Sequence, residues 1–309
     1  MNRRSFLARG GSAAVVASTP LQFMRLAAAS VLNEIGLQLI TMMSSLSTDF
    51  SGTLRSIASL GYSKVETLGS CGRDPAGVRS VFNQCRLTSP SQHLVPKDLY
   101  KVYELWDKGL LPMDRVMAQF TPAYALDRMP AIVEEGIVRA KILGQRYLVW
   151  AILFDSQLAS SQGIREVIRA FNAAGTLCAK EGMTFAFHNG SKSFTRIGND
   201  SAYDLILEHT DPAHVKMELD TYYAARSGAN AVEYLEKHPG RFKLMHLKDV
   251  DSRGEVTDLG EGTIDFVPLV TAAIKSGVEH FFVEHDRPAN PLKSAQIGFQ
   301  YLNRLRARL

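Results

Sequence analysis

Between Ile35 and Asp286 the chain alternates short β-forming runs with longer segments of helical spacing, and no other feature narrows its fold as far. The runs are IGLQLI (from Ile35), KVETLG (from Lys64), SQHLV (from Ser91), RYLVWAIL (from Arg146), MTFAFHN (from Met183), VKMELD (from Val215), FKLMHLKD (from Phe242) and HFFVEHD (from His280). Amphipathic segments lie between them, such as 53–60, closed by Gly61, and 164–180, followed by Gly182, where glycine is the usual helix stop. Eight such β-α units in roughly 280 residues predict an α/β fold of the (β/α)8 type, a single TIM-barrel domain. A doubly wound open sheet is the rival. It would show a Gly-rich phosphate turn after its first strand, and Gln38-Leu39-Ile40-Thr41-Met42-Met43 has none. The longest interval, 96–145, has room for more than one helix, and an extra helix there would form part of a lid over a C-terminal mouth.

The first thirty residues carry four arginines and no acid around a short Ala/Gly/Ser-rich apolar core. They read as an export signal, and Arg3-Arg4-Ser5-Phe6-Leu7 has the twin-arginine form. The core is too short and too weakly apolar for a stable transmembrane anchor, which needs about 20 residues. The expectation is therefore 1–30 as signal, with cleavage near Thr19-Pro20 or in Ala27-Ala28-Ala29, and 31–309 as a periplasmic barrel. An attached N-terminal amphipathic helix is the alternative. Removing four arginines from 35 basic residues leaves 31 against 31 acids, so the remainder is formally neutral. Such a surface offers no stripe for nucleic acid or an anionic membrane, and the pattern points instead to a small-molecule partner, with a homo-oligomer left open. Cys71, Cys85 and Cys178 are odd in number and lack metal-type spacing, so no disulfide framework is expected.

Strand alternation provides a test of which residues face the barrel axis. Met183, Phe185 and Phe187 form an apolar set that leaves Thr184, Ala186 and His188 inward. Val215, Met217 and Leu219 turn Lys216, Glu218 and Asp220 inward; Met245 and Leu247 do the same for His246 and Lys248; Phe281 and Val283 do it for Phe282, Glu284 and Asp286. Gln38 and Glu66 face in from the first two strands. These polar residues come late in their strands, the end at which barrel sites are built. Buried charges cost several kcal/mol each, to order of magnitude, unless paired or bound to a cation. His188, Asp220, His246 and Glu284, from four successive strands, offer two imidazoles and two carboxylates. That donor set suits a divalent metal cation such as Mn2+, Zn2+, Co2+ or Fe2+ better than Ca2+, with Mg2+ less favoured by the histidines. A purely structural salt-bridge layer is the plainer reading.

The motifs IGLQLIT, TLRSIASLGYSKVET, FAFHNG, MELDTYY, PGRFKLMHLKD, GEGTIDF and FFVEHD, in this order, resemble the xylose-isomerase-like barrel family of sugar phosphate isomerases and epimerases. The resemblance covers nearly the whole chain beyond the signal. It implies a divalent metal held by His188, Asp220, His246 and Glu284, and a carbohydrate substrate. It also implies a sugar isomerase or epimerase that removes a proton beside a carbonyl and stabilises the enediolate on the metal. Two departures matter. Family members commonly have Glu where this chain has His188, and the His-Asn-His subgroup has a second histidine where this chain has Gly190. Epimerisation needs acid/base groups on both faces of a carbon, so one-face chemistry, aldose–ketose isomerisation or β-elimination from a keto-sugar such as a 3-keto-glycoside, fits at least as well. Glu284, His188 and Lys248 are the catalytic candidates, with Lys248 equally an ordinary partner for Glu218. Gln38, Glu66, His93, Trp150 and Glu218 are candidates for the substrate pocket, Trp150 as an apolar wall. Asp249 and Arg241 read as positioning groups. A sugar-binding barrel without catalysis is a second class of function, and a metal-dependent nuclease a third that the neutral charge disfavours.

Overall fold

The computed structural model describes residues 34–190 and 192–309, so the expected export segment lies outside the described residues. Eight parallel strands close on themselves: β1 (Gly36–Gln38), β2 (Lys64–Leu68), β3 (Ser91–His93), β4 (Tyr147–Trp150), β5 (Thr184–His188), β6 (Val215–Asp220), β7 (Phe242–Leu247) and β8 (His280–Val283). β1 joins β8 through the register Gly36↔Phe282 and Leu37↔Val283, which completes the single (β/α)8 barrel. The three cysteines are free. Among the described residues, no helix is long and apolar enough to cross a membrane.

Capping chemistry explains where the outer helices begin and end. Helix Phe50–Leu60 starts because the Asp49 side chain accepts from the Gly52 N–H at 2.8 Å, and it stops at Gly61, whose φ of 108° a residue with a Cβ would resist. Helix Ser161–Lys180 begins three residues earlier than its apolar pattern suggests, because Ser160 caps it through the Gly163 N–H. The helices bury the outward residues of the strands, Phe185, Phe187, Met217, Leu219, Met245, Leu247, Phe281 and Val283 among them.

The inward residues divide by height. Tyr147, Val149, Ala186, Leu244 and Phe282 form a small apolar plug inside the barrel. Above it lies a polar layer of Glu66, His188, Glu218, Asp220, His246, Lys248 and Glu284, every member at most 5% exposed. Register fixes that layer: Asp220 pairs with His246 and His246 with Phe282, after an irregularity between Met217 and Glu218 sets the phase of β6 against β7. The interval 96–145 contains two helices ahead of the outer helix Met129–Leu143. These are Tyr100–Asp107 and Met113–Ala123, which roof the C-terminal mouth.

Candidate metal centre and active site

Four strand ends deliver the expected donors to one point. His188, Asp220, His246 and Glu284 each offer one atom, and the four atoms lie within 4.8 Å of one another. His188 Nε2 stands 3.2 Å from His246 Nδ1 and 3.5 Å from Asp220 Oδ2, and His246 Nδ1 is 2.5 Å from Glu284 Oε2. A tetrahedral ion with bonds of about 2.1 Å separates its ligands by roughly 3.4 Å, which the first two spacings match. The third is a charge-assisted hydrogen bond that would have to open by about 1 Å. Asp220 Oδ2 is fully buried and makes no hydrogen bond, a costly orphan that a cation would satisfy. On that observation the residues fit a divalent ion. A second set, His93, His188, Glu218 and His246, shares both imidazoles with the first. Within it His93 and Glu218 bond each other at 2.9 Å.

The local sequence makes Asp220 serve two ends. Its Oδ1 accepts from the Tyr223 N–H at 3.0 Å and caps helix Thr221–Arg226, which leaves only Oδ2 for the centre. Asn189 clamps the Asp220 backbone from both sides, at 2.9 and 3.1 Å. Thr221 accepts from the Lys248 N–H and donates to its carbonyl, stitching β6 to the end of β7.

Beneath the centre, Glu66 accepts from Gln38 Nε2 at 2.8 Å and holds His246 Nε2 at 2.6 Å, so that Nδ1 is the nitrogen turned to the ligand set. The pocket expectation for Glu66 is corrected here: it is fully buried under the histidine and acts by orienting it. Glu218 is likewise fully buried and engages His93 and His246, not a cavity. Lys248 does not pair with Glu218. Its ammonium reaches Asp286 at 2.6 Å, Glu284 at 2.7 Å and Asp220 at 3.5 Å.

Three carboxyl groups therefore face a single lysine, Glu66 and Glu218 face the histidines, and the histidines respond. Burial pushes His93 down, but the Glu66 charge and the Glu218 bond override it and raise His93 to about 9. Burial also opposes protonation of His246, and the carboxylates of Glu218, Glu284 and Glu66 reverse that to hold it well above its ordinary value. Burial alone would raise Glu284; the Lys248 and His246 charges hold it well below the carboxylate range instead. Asp286 goes the other way. Burial raises it, Lys248 lowers it, and the Glu284 charge adds to the rise, so it sits above its ordinary value.

A cavity of about 310 Å3 opens above these groups. Gln38, His93, His188 and Glu284 line it, as does Asp286, whereas Glu66, Glu218, Asp220, His246 and Lys248 sit behind that lining. Trp150 does not reach it. Its ring is fully buried on the helix side, donates Nε1–H to the Ile152 carbonyl at 2.6 Å and meets Tyr124 edge-on. Alternation along β4, with Tyr147 and Val149 inside, carried that signal. Trp106, from the lid, supplies the tryptophan of the wall. Arg287 lays its guanidinium 5.2 Å from the Trp106 ring and donates to the Asp107 carbonyl at 3.3 Å, clasping lid to strand end. Asp249 and Arg241 are the positioning groups expected. Asp249 accepts from the N–H groups of Val250, Gly260, Gly262 and Ile264, and Arg241 donates to the Leu207 carbonyl and to Thr210.

The family model described as xylose isomerase-like TIM barrel matches residues 124–305, more than half of the chain. The chain belongs to that family. A curated inosose dehydratase of Geobacillus kaustophilus is 24% identical over 286 residues, 82% of this chain and 86% of that protein. A second inosose dehydratase, from Geobacillus thermodenitrificans, is 32% identical over 158 residues, and there the match spans about half of the relative, 52%, and 44% of this chain. Among solved structures, a sugar phosphate isomerase/epimerase from Parabacteroides distasonis superposes with a TM-score of 0.69 at 24% identity, over 87% of this chain and 96% of that one. A protein crystallised with a bound zinc atom superposes at 0.61 with 14% identity, over 89% and 98%. At these identities the structural likeness speaks for the fold.

Proposed function

We propose that this family member is a divalent-metal-dependent carbon–oxygen lyase acting on a keto-sugar or cyclic keto-polyol. The observation that carries the reading is where proton-transfer groups stand around the cavity. Lys248, Glu284 and Asp286 cluster at the ends of β7 and β8. Across the mouth, where β4 ends, the lining is Ala151, Ile152 and Leu153, and the roof adds Trp106, Met113 and Phe120. His93, between them, has its Nε2 engaged by Glu218. Glu284 and Asp286 supply the carboxylates of the lining and stand together on one side, while the β4 side offers Lys192, paired with Asp155, and Ser193; that suits elimination on one side better than the paired carboxylate bases of an epimerase. The two dehydratase relatives support the same chemistry.

His188, Asp220, His246 and Glu284 would hold the ion, which when bound polarises the carbonyl and stabilises charge on its oxygen. Asp286, a cavity-lining carboxylate outside the ligand set, takes the proton from the carbon beside the carbonyl. The C–H electron pair becomes the new C=C bond as the C–O bond on the next carbon breaks. The same carboxyl then gives that proton to the departing oxygen, so water or an alcohol leaves and the enzyme is unchanged, while Lys248, bonded to Asp286 from behind the cavity lining, holds it in place. Glu284, against the other side of Lys248, keeps that ammonium charged and in place.

Metal-loaded protein incubated in D2O with a keto-inositol, 3-keto-glucosides and an aldose–ketose panel, followed by proton NMR, tests this. Expected is loss of the proton beside the carbonyl with release of water or alcohol, slowed about 10^2- to 10^4-fold in Asp286→Asn. Deuterium entry with inversion or carbonyl migration and no elimination would instead establish the isomerase/epimerase reading. No exchange with any panel member, despite bound metal, would leave a sugar-binding barrel. Export is proposed separately on Arg3 and Arg4: residues 1–30 fused to a folded reporter should direct it to the periplasm, and the Arg3→Lys, Arg4→Lys double change should strand it in the cytoplasm.

A further inference from the structure

The cavity is chemically divided in a way that elimination from a polyol ring does not require. Around its floor stand Gln38, His93, His188, Glu284 and Asp286, and its roof is built mainly from Trp106, Met113, Val116, Met117, Phe120 and Leu153, with the polar groups of Tyr103, Lys192, Ser193 and Tyr223 also among the lining. A polyhydroxylated ring presents hydroxyls around its whole edge, and each one moved from water against apolar walls without a partner is unfavourable. That ring therefore belongs on the floor, and the apolar half is left for a part of the substrate that carries no hydroxyls. Met113 and Met117 are 52% and 36% exposed at the rim, and methionine is the side chain that best moulds itself to an irregular apolar surface. Trp106 is fixed by Arg287 stacked near its ring, a placed aromatic face and not a loose one.

We infer that the substrate is a keto-glycoside bearing an apolar, aryl-sized aglycone, with the keto-sugar on the floor and the aglycone under the lid between Trp106, Met113, Met117 and Phe120. These four are its specificity-determining residues. This rests on the lyase reading for the identity of the ring on the floor, and it narrows that reading, since a free keto-cyclitol would leave the apolar half unused. Binding of the aglycone stands apart from turnover and is tested apart from it.

The chain has two tryptophans, Trp106 and Trp150, and only Trp106 lines the cavity, so indole fluorescence reports the lid. The full chain, metal-loaded, is titrated with phenyl β-D-glucoside and with methyl β-D-glucoside, and the 3-keto forms of both are assayed for turnover. Expected is phenyl binding about tenfold tighter than methyl or better, with a fluorescence change that disappears in Trp106→Phe. The Met113→Ser, Met117→Ser double variant should melt near the wild-type temperature and bring the phenyl-to-methyl ratio down to about twofold. A wild-type ratio below about twofold, or a ratio unmoved in the double variant, overturns the inference. Turnover of both 3-keto compounds with equal KM overturns it and leaves the lyase reading standing. Phenyl preference without elimination from either compound sinks the lyase reading and leaves the apolar subsite.

Discussion

Asp220→Asn separates the two duties of one residue and so tests the metal centre without breaking the fold. The amide keeps an oxygen for the Tyr223 N–H, so the cap on helix Thr221–Arg226 survives. What it loses is the charge on Oδ2, the orphan atom 3.5 Å from both His188 Nε2 and Lys248 Nζ. Two unit charges 4 Å apart interact by about 4 kcal/mol at an effective dielectric of 20, and a dication doubles that. With desolvation cancelling over half, a loss of about 3 kcal/mol is expected, or roughly 100-fold in metal affinity. In wild type, ion at a hundred times its Kd stabilises the fold by about 2.7 kcal/mol, and the same ion at the weakened site by about 0.4 kcal/mol. For a barrel of this size each kcal/mol moves Tm by about 2–4 °C. Adding the ion should therefore raise wild-type Tm by about 5–11 °C and that of the variant by about 1–2 °C. Thermal melts with and without Mn2+, Zn2+ or Co2+, beside metal analysis after dialysis, give both numbers. An unchanged metal-induced shift in the variant would refute the assignment. A variant whose metal-free melt has collapsed would show instead that the carboxylate is structural.

Three other outcomes are expected. Glu66→Gln removes the carboxylate that orients His246, and metal affinity by equilibrium dialysis should fall about 10- to 100-fold while the metal-free fold persists. His93, raised from 6.5 to about 9, contributes stability in full below pH ~6.5 that is lost as pH climbs through about 9. In chelator, urea midpoints should fall across that window, and His93→Gln should flatten the fall. Gly262→Ala would place a Cβ 2.3 Å from Asp249 Oδ1 and 2.5 Å from the Val250 carbonyl, and should cost about 1–3 kcal/mol in chemical denaturation.

Alternation was the informative signal. It needs only that one face of each strand meet apolar helices, and it turned His188, Asp220, His246, Lys248, Glu284 and Asp286 inward without any knowledge of their neighbours. Height was not legible, because it depends on how strands are staggered around the barrel. Glu66 and Glu218 are inward as expected, yet they lie below the cavity, and the register irregularity beside Glu218 in β6 is not a local sequence property. Trp150 was legible and misassigned: two positions of alternation along β4 place it among the helices. The lid was visible only as excess length in 96–145, since helices that pack on a rim carry no period telling which end of the barrel they cover. Asp286 faced inward by parity but gained significance only through contact with Lys248 and the cavity.

The Arg287 clasp ties the roof to the turn that follows β8. Arg287 has φ of 50°, a left-handed turn of the chain directly after Asp286, and from there it reaches the Trp106 ring and the Asp107 carbonyl. A molecule that enters or leaves by lifting helix Tyr100–Asp107 must pull on a residue whose backbone neighbour holds Lys248. The residue that holds the roof, Arg287, and the residue that holds Lys248, Asp286, are joined by one peptide unit, so a displacement of that helix is felt at the Lys248 ion pair. A lid grafted from another barrel would arrive without its latch unless residues 286 and 287 came with it.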